Sequence, residues 1–154
     1  MSVVNPMLLS HGTLMCRDMA ASRRFYEEFL GLEVVRHAKP AMMLRLKSGM
    51  YVVCVCRGEH LPDQHVLTHW GLNVASRAEV ERAYAEAQRL KEKYGIRRIT
   101  KIKDQHGAYA FYLQDLDYNW WEIQHEPRTV EAFFAAGDRF EMSVHATDSE
   151  ESHE

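Results

Sequence analysis

Hydrophobic and polar residues follow the same order in two stretches, Ser10-His11-Gly12-Thr13-Leu14-Met15-Cys16 and Thr68-His69-Trp70-Gly71-Leu72-Asn73-Val74. Each reads as a β-strand opened by a hydroxyl residue and a histidine. Helix signals follow both. Asp18 is an N-cap for a helical segment that runs to Phe29 and stops at Gly31, and Ser76 with Glu79 forms a capping box for a helix to about Tyr94 that stops at Gly95. Strand-like runs joined by a turn come next: Met42 to Lys47 and Met50 to Cys56 around Ser48-Gly49, then Ala108 to Gln114 and Asn119 to His125 around Asp115 to Tyr118. One further strand per unit, near Glu33 to His37 and Arg98 to Lys103, is weakly marked. The pattern predicts an α+β fold of two tandem β-α-β-β-β modules, at residues 7–59 and 68–126, with 60–67 as linker. A short helix at 127–137 and an acidic tail at 138–154, too polar to order itself, complete the chain.

Parity sorts the side chains, because neighbours on a strand point to opposite faces. His69, Gly71 and Asn73 share one face, while Trp70, Leu72 and Val74 form the apolar face suited to a helix. Trp120, Glu122 and Gln124 likewise share a face, as do Ala108, Ala110, Tyr112 and Gln114. Glu122 is the anomaly: a carboxylate set among Trp120, Trp121 and Ile123 is costly to desolvate unless a cation meets it. Arg45 and the Lys101/Lys103 pair are the nearest cationic candidates, yet His11 and His69 open the equivalent strands of both modules. Two imidazoles and one carboxylate make the facial set typical of non-heme Fe(II). A lone strand histidine is more often structural and a lone Glu more often solvated. The shared position of both histidines in a repeated unit is what favours a metal site.

Composition narrows the partners. With 154 residues, 46% hydrophobic, the chain can bury a real core, and a net charge of -3 leaves no basic field for nucleic acid. Met1 to Ser10 lacks the parts of a signal peptide, and no apolar run approaches the roughly 20 residues of a membrane helix, so a cytoplasmic protein without a membrane partner is expected. Cys16, Cys54 and Cys56 have neither zinc-knuckle nor C-x-x-C spacing and read as reduced, buried thiols.

The chain resembles the vicinal oxygen chelate superfamily, which includes glyoxalase I, bleomycin-resistance proteins, fosfomycin-resistance enzymes and extradiol dioxygenases. The resemblance spans roughly residues 7 to 126. It rests on Ser10-His11-Gly12-Thr13-Leu14, on the helix ending Phe25-Tyr26 to Leu30-Gly31-Leu32, on Thr68-His69-Trp70-Gly71, and on Phe111 to Glu122 with its D-x-D-x-x-x-x-E pattern. It implies a cup-shaped mixed sheet around a divalent ion held by His11, His69 and Glu122. Tyr112, ten residues before Glu122, and His106 are the implied catalytic groups and Thr13 an implied substrate-binding one, while parity adds Asn73, on the face of His69, and Trp120, on the face of Glu122, as substrate-binding candidates. Val53 falls opposite Glu122 when the two turns are aligned, which disfavours a four-ligand glyoxalase site.

The first functional reading is an Fe(II)-dependent, extradiol-type dioxygenase acting on a small aromatic or vicinal-oxygen compound. The second is redox-neutral chemistry, such as a lyase or fosfomycin-type thiol transferase, on Mn(II), Ni(II) or Zn(II). A third is a metal-free, ligand-sequestering protein of the bleomycin-resistance type. Exposed sheet edges in modules of this kind predict a homodimer.

Overall fold

The computed structural model describes residues 3–4, 6–47, 49–105 and 107–138, so the expected tail from 139 onward lies outside them. In the first module β1 (His11–Cys16) leads into α1 (Met19–Arg24) and a π-helical stretch at Phe25–Phe29, then β2 (Glu33–Ala38), β3 (Ala41–Arg45) and β4 (Tyr51–Cys56). In the second, β5 (His69–Asn73) leads into α2 (Arg77–Arg89) and α3 (Lys91–Tyr94). β6 (Arg98–Ile99), β7 (Lys103–Gln105), β8 (Ala108–Gln114), β9 (Trp120–His125) and α4 (Val130–Ala136) follow.

Local chemistry accounts for the boundaries. Asp18 Oδ1 accepts the N–H groups of Ala20 and Ala21 at 2.8 and 3.1 Å, capping α1. Ser76 Oγ accepts the Glu79 N–H at 3.3 Å, while the Glu79 carboxylate pairs with Arg82 at 2.6 Å. The weakly marked strand of the second module divides into β6 and β7 for a visible reason. Between them Thr100 donates its N–H to the Tyr112 carbonyl (2.8 Å) but accepts the Tyr112 N–H on its hydroxyl (2.9 Å), so a side chain replaces the backbone rung.

Each module forms its own mixed sheet, ordered β1-β4-β3-β2 in the first and β5-β9-β8-β6 in the second, with β7 also paired to β8. β1 with β4 and β5 with β9 are parallel, and the remaining pairs antiparallel. Leu14, Met42, Leu44 and Cys54 of the first sheet, and Phe111, Leu113, Trp121 and Ile123 of the second, close with the helices on one shared core. The opposite face of each sheet points outward, away from that core.

Contacts between the modules are specific. Tyr26 from the first helix meets Trp121 at 5.7 Å, and Phe25 and Phe29 meet Tyr94 at 6.2 and 5.6 Å. A Cβ placed on Gly12 would run into the Trp70 ring, so β1 abuts β5 closely there. Asp115 is fully buried and accepts the N–H groups of Asp117 (2.8 Å), Asn119 (3.0 Å) and the Trp121 indole (3.1 Å); burial pushes its carboxyl up to about 6. Arg17, at the end of β1, pairs with Asp117 at 3.2 Å. All three cysteines are free thiols, Cys16 and Cys54 buried. No helix among the described residues is long and apolar enough to cross a membrane.

Candidate metal centre

Strand register decides which side chains share a line across each outward face. In the second sheet one line is His69-Trp120-Gln114-Arg98 and the next is Gly71-Glu122-Tyr112. In the first sheet the corresponding lines are His11-Tyr51-Arg45-Glu33 and Thr13-Val53-Met43-Val35. The register thus pairs His11 with His69, Val53 with Glu122 and Met43 with Tyr112 as equivalents. The alignment that sets Val53 opposite Glu122 is the one the strands adopt.

His69, Glu122 and Tyr112 converge. The Tyr112 hydroxyl donates to Glu122 Oε1 at 2.7 Å, and its ring meets the His69 ring edge-on at 5.0 Å between centroids. Burial first, and the bond to Glu122 second, push the Tyr112 phenol up to about 12, so it is a hydrogen-bond donor across the neutral range. His69 Nδ1 lies 2.8 Å from the Val66 carbonyl. A carbonyl only accepts, so Nδ1 carries the proton, and Nε2 is left facing Glu122 Oε2, 3.3 Å away. Two acceptors facing each other at that distance repel unless a proton or metal cation joins them. Two ligands at right angles around a divalent ion, each about 2.1 Å from it, sit about 3 Å apart, so the pair fits a shared metal.

His11 is placed differently. It is exposed on β1, bonded to Ser10 Oγ at 2.9 Å and stacked on Tyr51 at 5.2 Å. Among the described residues no three His, Cys, Asp or Glu side chains gather as a metal set, so within one chain His11 does not join His69 and Glu122. Arg45, a candidate counter-charge for Glu122, instead bonds Glu33 at 2.7 Å in the other sheet.

The remaining expected site residues take different places. Thr13 lines a crevice of about 560 Å³ together with Met15, Gln64, Thr68, His69 and Asn119. Asn73 clamps the ends of β5 and β9, its amide donating to the Glu126 carbonyl (3.0 Å) and accepting the Glu126 N–H (2.7 Å). Trp120 is only 5% exposed, with its indole N–H on the Gln64 carbonyl at 2.8 Å, so its ring is a wall rather than a free stacking surface. His106 lies outside the described residues.

The segment read from sequence only as a linker reaches the site. Asp63 accepts from the Gln114 amide at 2.6 Å and pairs with Arg98 at 2.7 Å; Gln64 and Val66 offer their carbonyls to Trp120 and His69. Every member of the His69-Trp120-Gln114-Arg98 line therefore bonds this segment. Backbone carbonyls carry half of these bonds, and no residue pattern announces them.

Comparison with known proteins gives a consistent answer. The family model of the Glyoxalase/Bleomycin resistance protein/Dioxygenase superfamily matches residues 8–123. A search of curated proteins gives no match. Among solved structures, the fosfomycin resistance protein FosX from Listeria monocytogenes superposes with a TM-score of 0.66 at 17% identity, over 86% of this chain and 99% of that one. Its complex with Mn(II) and sulfate gives 0.66 at 15% identity, over 86% and 98%. Lactoylglutathione lyase from Agrobacterium tumefaciens gives 0.59 at 17% identity, over 79% and 95%.

Proposed function

The chain belongs to the glyoxalase/bleomycin resistance protein/dioxygenase superfamily, and from that premise we propose that it is a divalent-metal-dependent enzyme acting on a small substrate with adjacent oxygens. The supporting observation is the 3.3 Å approach of His69 Nε2 to Glu122 Oε2, with Nδ1 and Oε1 each already engaged elsewhere. His69 and Glu122 of one chain and His11 of a second copy hold the ion, since His11 stands exposed on its own sheet. Homodimerisation is then part of the active site. A metal bound there supplies Lewis acidity and open positions for two substrate oxygens.

The chain's own residues have separate tasks. Tyr112 holds Glu122 in one orientation through its hydroxyl. Trp120, under the linker, excludes water from one side of the pair. On the outward faces Arg45 is engaged by Glu33 and Arg98 by Asp63, which favours an aromatic or weakly charged substrate and, with Fe(II), dioxygenase-like chemistry. The structural likeness to FosX, solved with Mn(II), favours the second reading of redox-neutral chemistry.

Anaerobic purification with metal analysis, followed by oxygen uptake against a panel of catechols, tests the choice. Uptake with Fe(II) supports the oxidative reading, and turnover without uptake supports the other. Mixing His11→Ala chains with Glu122→Gln chains tests the shared site. Heterodimers then carry one intact site, restoring metal binding to about a quarter of all sites. No restoration would remove the two-chain arrangement.

A further inference from the structure

The two modules differ in what lies over the histidine-bearing line of the outward face. In the first, Glu33, Arg45 and Tyr51 border an open hollow of about 500 Å³, and the preceding segment, Met7 to Leu9, is exposed. In the second, residues 63–66 lie across the line and bond each of its four members. The segment is itself turned, with the Thr68 N–H on the His65 carbonyl (2.8 Å) and the Leu67 N–H on His65 Nδ1 (3.2 Å), which aims the Val66 carbonyl at His69.

Its anchor is Asp63. One carboxylate oxygen takes the buried Gln114 amide at 2.6 Å and the other takes Arg98 at 2.7 Å, tying the segment to β8 and β6 at once. The Gln114 side-chain oxygen is buried without a partner, so that residue's burial is compensated through its amide nitrogen, shared between Asp63 and the Tyr118 carbonyl. The Gln114 bond, with Arg98 second, holds the Asp63 carboxyl below its ordinary range.

We propose that Asp63 is a positioning residue for the metal site: by clamping residues 63–66 to β6 and β8 it keeps the Val66 carbonyl on His69 Nδ1 and so presents Nε2 to the ion. The proposal rests on the His69/Glu122 reading above. A hydrogen bond from the far nitrogen of a liganding histidine fixes tautomer and ring orientation, and losing such a partner typically weakens metal affinity 10- to 100-fold.

The test is titration of the full-length protein with Mn(II), beside a nitrogen-15 NMR determination of the His69 tautomer in the metal-free state. Wild-type protein should show His69 Nδ1 uniformly protonated, whether or not Nε2 shares a proton with Glu122. Asp63→Ala should bind Mn(II) about 10- to 100-fold more weakly and show mixed tautomers, with Asp63→Asn, which keeps the acceptor for Gln114, in between. If Asp63→Ala fails to fold, Arg98→Ala, which removes only the exposed arm of the clamp, should still move the tautomer ratio. An unchanged affinity and tautomer in the folded variants would overturn the proposal. Wild-type protein that binds no Mn(II), Fe(II) or Zn(II) would instead overturn the metal reading, and the tautomer comparison would still decide the role of Asp63.

Discussion

The two sheets of this protein have the same strand order and the same register, yet their outward faces have opposite chemistry. Where the second carries Glu122 and Tyr112, the first carries Val53 and Met43; where the second has Trp120 and Gln114 beneath a strap, the first has Tyr51 and Arg45 in the open. Only the histidine that opens β1 and β5 is common to both. The repeated unit has the same backbone with different equipment, one copy presenting a carboxylate in a shielded setting and the other a single imidazole beside Val53 and Met43. The difference shows that the register of a repeated sheet fixes which positions correspond, while the side chain and its cover fix what each position can do.

The sharpest way to break the comparison is Glu122→Gln. It should abolish tight metal binding, a loss of at least 10- to 100-fold, while Val53→Ala at the equivalent position leaves affinity within about twofold. Calorimetric titration with Mn(II) reads both. Because Arg45 bonds Glu33, the Gln variant strands no cation and its metal-free stability should hold; a sharp fall in melting temperature with retained metal would show a structural Glu.

Next in size is the seam between modules. Gly12→Ala drives a Cβ into the Trp70 ring and should cost about 2 kcal/mol in chemical denaturation. Gly71→Ala meets only Glu122 Oε2, at 3.8 Å, and should be nearly neutral for stability.

A smaller effect comes from Asp115, whose first-module counterpart is the untitratable Leu46. Its folded value of about 6 lies above the ordinary 3.8. As pH falls through 6 the folded protein takes a proton that the unfolded chain binds only near 3.8, so stability rises, by about 1 kcal/mol between pH 7 and pH 5. Asp115→Asn should flatten that part of a stability–pH curve; an unchanged slope would show that the carboxylate is ionised throughout.

Smallest is Arg45→Ala. Its pair with Glu33 is more than half exposed, so the variant should lose no more than about 0.5 kcal/mol and no metal affinity.

Much of this was legible from residues alone. Hydroxyl-His followed by alternation and a cap marks the start of each module, because strand parity and helix capping are local rules that a few neighbouring residues satisfy or fail. Alternation likewise put His69, Glu122 and Tyr112 on one face, and the aligned turns put Val53 where a fourth ligand would be. Other features depend on partners distant in sequence and carry no local mark. The break between β6 and β7 comes from one Thr100 hydroxyl, and the burial of Trp120 from a carbonyl 56 residues away. The strap of residues 63–66 reads as a polar linker because its contacts run partly through backbone oxygens, which every residue possesses. By itself, then, the sequence determined the two modules, the correspondence of their turns and the set of side chains on each outward face. The tertiary structure alone decided that His69 and Glu122 meet while His11 stands apart, because β5 and β9 pair within one sheet whereas β1 belongs to the other, and strand pairing between distant segments leaves no local mark.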